Sequence, residues 1–225
     1  MIPIRSEVPT RTFPFTTLAL ITLNAGLFLR ASLLPADARE TFILNLALIP
    51  HELTQVAPFE PNLLLYNAAT LFTSMFVHAG LLHLGGNMLY LWIFGGCIED
   101  IVGHGRFLAL YLLCGIAGAA VQIAADPGSE IPVVGASGAI AGILAAYMVM
   151  FPTARIVTLV FLLVFVRLVP IPALLVVGIW LLIQLINAGQ LVPGGVAWFA
   201  HLGGFAAGLI LIVTFRRRRI RGSLY

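Results

Sequence analysis

Lysine is absent from this 225-residue chain, and charged side chains of every type make up only 9% of it, against 60% hydrophobic residues. So little polar surface cannot cover a water-soluble globule, and the mean hydropathy of +1.05 points to an integral membrane protein. The net charge of +3 is carried by arginines that flank apolar runs instead of gathering on one polar face, which argues against nucleic-acid binding. Cysteine is scarce as well. Cys97 and Cys114 both lie inside apolar runs and are poor disulfide candidates. No internal repeat or low-complexity linker divides the chain, so a single bundle is expected.

What is present is a series of apolar runs. A short polar head, residues 1–12 with Arg5 and Arg11, precedes a first span from Phe13 to Leu29, extended by Ala31 to Leu34. A signal peptide is the rival reading, with the two arginines as its basic region and Ala36-Asp37-Ala38 as its cleavage site. The long connection from Pro35 to Gly80 is too mixed for a simple turn, and its apolar patches Phe42–Ile49 and Leu63–Phe76 read as pieces lying in the interface. Leu81–Ile98 is the second span, Phe107–Ala125 the third, and Ser137–Phe151 the fourth, stopped by Pro152. The uncharged stretch between Arg155 and Arg167 is about half a spanning length and reads as interfacial or packed against the bundle. Leu168–Asn187 is the fifth span and Val196–Phe215 the sixth, followed by a basic tail at 216–225. The expected fold is an all-α membrane protein of six transmembrane helices, residues 13–215, with a large external loop between the first two.

Arginine placement sets the orientation. The head, the 99–106 turn, the segment after the fourth span and the tail hold ten of the 12 arginines, while the opposite side holds Arg30 and Arg39. Both termini are therefore expected to be cytoplasmic. The second, fourth and sixth spans then all start on the external face. His83, Asn87, Ser137 and His201 lie near those starts, the first two roughly 3–9 Å in, so four proton-bonding groups share one depth. A lone serine in an apolar run is ordinarily helix-packing glue, while a lone histidine is costly enough in lipid that a structural and a functional role are about equally expected. Four at one layer suggest chemistry instead.

Gly138 and Gly142 in the fourth span, and Gly204 and Gly208 in the sixth, each form a small-xxx-small pair that lets helix backbones approach. His201 lies on the same face as Gly204 and Gly208, and Ser137 immediately precedes Gly138, so close packing of the two spans would bring serine and histidine together. A serine hydroxyl needs a base to attack a carbonyl, and a neutral imidazole supplies one. Glu99 and Asp100 belong to the opposite end and Asp126 and Glu130 to a loop, so a Ser–His dyad without a carboxylate is the expected arrangement. Donors for an oxyanion would come from the unpaired Ser137 N–H at a helix start and from His83 and Asn87, one turn apart. This set suits peptide-bond hydrolysis in a pocket opening outward.

His83-x-x-x-Asn87, Gly135-Ala136-Ser137-Gly138 and His201-x-Gly203-Gly204, together with Gly95-Gly96-x-x-Glu99, resemble the rhomboid family of intramembrane serine proteases over about Pro58 to Phe215. The resemblance implies a rhomboid-like six-helix bundle with Ser137 as nucleophile, His201 as general base, and His83, Asn87 and the Ser137 N–H as oxyanion hole. It also implies that His78 lines the cavity. The implied partners are membrane lipid and single-span membrane proteins, cut near the outer surface without metal or cofactor. Two positions depart from the family pattern: Ala69-Thr70 replaces a Trp-Arg pair in the first loop, and Ala141 replaces a tyrosine that stacks on the histidine. A catalytically inactive rhomboid-like protein that binds transmembrane segments is the alternative, although such proteins usually lack the Ser or His. A transporter would call for inverted repeats, and a metal site on His78, His83 and His201 would lack a carboxylate or thiolate. The short head without a transit-like leader leads to the expectation of a prokaryotic plasma membrane.

Overall fold

The computed structural model describes residues 1–56, 61–162, 165–189 and 196–216. Residues 190–195 and the basic tail from 217 onward lie outside the described residues. In chain order the elements are β1 (Ile2–Ser6), α1 (Phe15–Ser32), α2 (Ala36–Leu44), a π-turn (Glu52–Val56), α3 (Pro61–Thr73) and a 3-10 turn (Ser74–Phe76). Then come α4 (Leu81–Tyr90), a π-segment (Leu91–Gly95), α5 (Gly96–Val102), α6 (His104–Ala125), α7 (Ser137–Met150), β2 (Arg155–Leu162), β3 (Phe165–Pro172), α8 (Ala173–Gly189) and α9 (Trp198–Phe215).

The chain is mostly helical. Phe15–Ser32, Leu81–Val102, His104–Ala125 and Trp198–Phe215 are long and apolar enough to cross a membrane, whereas Ser137–Met150 and Ala173–Gly189 are apolar but shorter. The shortness of α7 has a physical reason: it is the central helix. Every residue from Gly138 to Tyr147 is buried, packed by α4, α5, α6, α8 and α9, so it need not reach either lipid surface. Its 14 residues rise only ~21 Å, and Ser137 at its start lines a cavity together with the starts of α4 and α9. Tyr111, Phe107 and Leu110 of α6, Phe94 of the π-segment and Tyr147 of α7 fill the core around it.

The expectation of an all-α fold is corrected by a three-stranded antiparallel sheet, order β1-β2-β3. The polar head contributes β1, with Ile2 opposite Leu159 and Ser6 opposite Ile156. The stretch from Arg155 to Arg167 falls on β2 and β3, where Arg155 pairs with Pro172 and Val160 with Arg167. Its run of Ile, Val, Thr and Phe suits a pleated surface better than a helix. The helix expected from Leu168 accordingly begins at Ala173. Pro170 and Pro172 lack backbone N–H groups and hold Val169 and Ile171 in extended conformations, tolerable on the edge strand β3 but not in a helix interior. Once past Pro172, the first N–H groups of α8 are taken up by loop carbonyls, Ala173 N to Ala154 O at 2.8 Å and Leu174 N to Pro152 O at 3.1 Å.

The sheet marks one end of the bundle, shared by the start of α1, the end of α5, the start of α6 and the end of α9. Glu99, fully buried there, accepts from Thr16 N and Thr17 N at 2.8 Å and from Thr17 Oγ1 at 2.6 Å, and also meets His104 Nδ1. The carboxylate thus caps the N-terminus of α1, where orphan donors and the helix dipole favour negative charge. Asp100 holds the segment just before it through Thr12 N at 2.8 Å and Thr12 Oγ1 at 2.6 Å. Glu99→Ala would orphan four donors around a buried site, so we expect a loss of ~3 kcal/mol or more in unfolding free energy. Denaturant titration in detergent measures this, and an unchanged midpoint would rule out the cap.

At the other end, described residues of the connection between Pro35 and Gly80 pair with the loop that leads into α7. Leu48 bridges Val133, and Gly135 N donates to Ser74 O at 2.8 Å. Where Ala69-Thr70 departs from the family pattern, Thr70 is buried and donates to Asn67 O at 2.6 Å, and the bracing comes from Tyr66 Oη to Asn45 O and Thr73 Oγ1 to Leu46 O, both 2.8 Å. The two cysteines are free and buried.

Candidate active site

The starts of α4, α7 and α9 converge at the end opposite the sheet. Ser137 is the first residue of α7, and the loop delivers it through Gly135, which has φ of +116°. A side chain at 135 would be strained by that φ, and its Cβ would lie 2.7 Å from His83 Cε1 and Nε2 and 3.5 Å from Asn87 Nδ2. Glycine here therefore seats the loop directly against His83 and Asn87. One turn into α9, His201 is 8% exposed, and its Nε2 lies 2.7 Å from Ser137 Oγ.

The approach of α9 to α7 depends on missing side chains. A Cβ on Gly204 would collide with the Gly138 carbonyl, and one on Gly208 with the Gly142 backbone. A Cβ on Gly118 of α6 would fall 2.5 Å from Ala200 O, so α9 is wedged between two helices at this level. Gln122 Oε1, also on α6, accepts from Ala200 N at 3.2 Å and so ties down the first turn of α9.

His83 and Asn87 both line a cavity of about 950 Å³ that also holds Ser137 and His201. It continues past the dyad between Leu82, Gly86 and Tyr90 of α4 and Trp180 of α8. His78 is 1% exposed, and the residues that line the cavity include His83 and Asn87 but not His78. Its Nε2 is 2.9 Å from Asn87 Nδ2, and its ring meets His83 edge-on at 5.0 Å. Burial, followed by the charge of a protonated His83, pushes the His78 imidazole down to about 4. It is therefore neutral near pH 7, and in its Nδ1-protonated tautomer Nε2 accepts from the amide.

Two neighbours of His201 are not apparent from the motifs. Gln184 of α8 is 4% exposed, with Oε1 2.7 Å from His201 Nδ1. Trp180, one turn earlier, lies 5.9 Å from the imidazole at 40°, while Trp198 meets it edge-on at 6.0 Å. These two indoles flank the imidazole, whereas Ala141 is fully buried in the core. An amide in an otherwise apolar run is a signal in its own right, since a polar group in lipid needs a partner. Gln184 also sits at helical spacing from Val176, Val177 and Trp180. Among the described residues no three His, Cys, Asp or Glu side chains are grouped to hold a metal ion.

Residues 66–218 match the family model described as the Rhomboid domain, well over half of the chain. The chain belongs to the rhomboid family. It is 32% identical over 146 residues to Rhomboid protein 1, mitochondrial, of Saccharomyces cerevisiae, covering 61% of this chain and 39% of that protein. It is 45% identical over 78 residues to rhomboid protease GluP of Bacillus subtilis, covering 35% of this chain and 15% of the relative. The human presenilin-associated rhomboid-like protein, mitochondrial, is 38% identical over 85 residues, covering 37% and 22% respectively. The aligned part thus spans well under half of each of these rhomboid relatives. Membership and the apolar helices make this a membrane protein. With mitochondrial proteins among the relatives, the expected prokaryotic plasma membrane has no support from them.

Proposed function

We propose that the chain is an intramembrane serine endopeptidase that cleaves single-span membrane proteins with a Ser137–His201 dyad. The observation that carries this reading is the 2.7 Å approach of His201 Nε2 to Ser137 Oγ at the floor of a cavity. In the first step the imidazole takes the hydroxyl proton as Oγ attacks the scissile carbonyl, and then hands it to the leaving amine. Water then attacks the acyl carbon and loses its proton to His201, which returns it to Ser137 Oγ as the Oγ–acyl bond breaks and the acid product leaves.

The carbonyl oxygen becomes an oxyanion beside the first turn of α7. There the Ser137 N–H has no intrahelical partner and the dipole favours negative charge. Asn87 spends one amide proton on His78 and has a second to donate, and His83 Nε2 stands against the same loop. The six apolar helices cross the bilayer with both ends cytoplasmic, which sets the cavity toward the outer side. The described arginines support this orientation, since Arg5, Arg11, Arg106, Arg155, Arg167 and Arg216 are at the sheet end and only Arg30 and Arg39 at the other. A substrate helix enters from lipid between α4 and α8, where the cavity reaches Tyr90 and Trp180.

A serine-reactive phosphonate tests the site independently of any substrate. The expected result is one adduct on the wild-type chain, mapped by mass spectrometry to Ser137 and absent from Ser137→Ala. An adduct on another residue, or equal labelling of the mutant, would contradict the assignment.

A further inference from the structure

Most of α8 faces outward: Leu174, Leu175, Leu182 and Ile186 are each half exposed or more, as expected of a helix coated by lipid. Gln184 alone brings a buried polar side chain to the inner stripe of this helix. Its amide has two partners, and together they fix a proton. Gln184 Nε2 donates to Trp180 O at 3.0 Å. A carbonyl can only accept, so the NH₂ group must face it and Oε1 must face the imidazole. The atom 2.7 Å from Oε1 is His201 Nδ1, which must then be the protonated nitrogen. That leaves Nε2 with its lone pair, directed at Ser137 Oγ.

We propose that Gln184 is a positioning residue for the dyad, holding His201 in the one neutral tautomer able to take the serine proton. The inference rests on the roles given above to Ser137 and His201 and adds a third side chain to them. A carboxylate in this place would also stabilise the imidazolium, at the cost of burying a charge within the bilayer. A neutral amide fixes ring and tautomer without that cost. Trp180 supplies both the carbonyl that orients the amide and an indole beside the imidazole, so a single turn of α8 sets the base.

The test uses Gln184→Leu, which keeps a bulky side chain, removes the acceptor and makes α8 more apolar, so it should insert at least as well. Gln184→Glu restores an acceptor at the same reach. With the full chain in detergent and a transmembrane reporter, Gln184→Leu is expected to lower kcat ~10- to 100-fold with KM within about twofold, and Gln184→Glu to recover most of it. In ¹⁵N spectra of histidine-labelled protein, wild-type His201 should be protonated at Nδ1, and Gln184→Leu should show a mixture of tautomers. Unchanged kcat in Gln184→Leu, a change confined to KM, or an Nε2-protonated wild type would overturn the proposal. If wild type and Ser137→Ala prove equally inactive or equally active, the protease reading fails, and the ¹⁵N comparison still decides the role of Gln184.

Discussion

Replacing His201 by alanine is expected to slow cleavage of a transmembrane reporter by at least ~10³-fold, or ~4 kcal/mol of transition-state stabilisation. Ser137 Oγ has His201 Nε2 at 2.7 Å as its proton acceptor, and a hydroxyl left protonated is a poor nucleophile. Among the described residues, only Gln184 and Ser137 bond the imidazole, so no carboxylate stands ready to replace it. What activity survives would come from the donors around the oxyanion, because these are untouched by the substitution. The loss should fall on kcat and leave KM nearly unchanged, since the imidazole handles the proton and not the bulk of the substrate. Insertion should match wild type, while unfolding should cost ~1–3 kcal/mol less, because the substitution leaves Gln184 Oε1 without its partner at a buried site. Steady-state kinetics in detergent provide the measurement, and a loss below tenfold would remove His201 from the chemistry.

The second large effect is expected at Gly204, which touches no substrate. Its Cβ would run into the backbone carbonyl of Gly138, which cannot swing aside as a side chain would. Helices α7 and α9 must then part in Gly204→Ala, and Ser137 and His201 ride on those two helices within a turn of the contact. Overpacking of this kind costs ~3 kcal/mol, and a displacement of ~1 Å between nucleophile and base costs ~100-fold in rate. Gly178→Ala in α8 is the matched comparison. Nothing lies within 4 Å of a Cβ there, and alanine is the better helix former. Thermal unfolding with reporter cleavage should therefore separate the two: Gly204→Ala less stable and nearly inactive, Gly178→Ala as stable as wild type or slightly more so. Equal behaviour of the pair would mean that the approach of α9 to α7 does not hold the dyad.

The same features explain which parts of the molecule are legible in its sequence. Helix periodicity, glycine spacing and the arginine census are local properties, and they carry the apolar helices to within a few residues of their ends and put His83, Asn87, Ser137 and His201 at one level. The sheet is different. Ile2–Ser6 pairs with residues more than 140 positions away, and nothing in a short polar head announces a partner at that distance. Pro170 and Pro172 do announce that a helix cannot begin at Leu168, but that signal is masked by the unbroken hydropathy around them. His78 lies three residues beyond the buried Met75, and only the three-dimensional path of the chain shows it paired with Asn87. Gln184 was within reach, since an amide amid leucine and isoleucine needs a partner, but the spacing alone does not say that the partner is His201.

Peptide hydrolysis by Ser137 within the membrane can be measured by comparing purified wild type with Ser137→Ala against a panel of single-span membrane proteins reconstituted in lipid vesicles. Discrete cleavage products are expected from wild type, with new termini near the outer end of the substrate helix, and none from Ser137→Ala even though it inserts and unfolds like wild type. Cleavage by Ser137→Ala at the wild-type rate would mean that Ser137 is not the nucleophile.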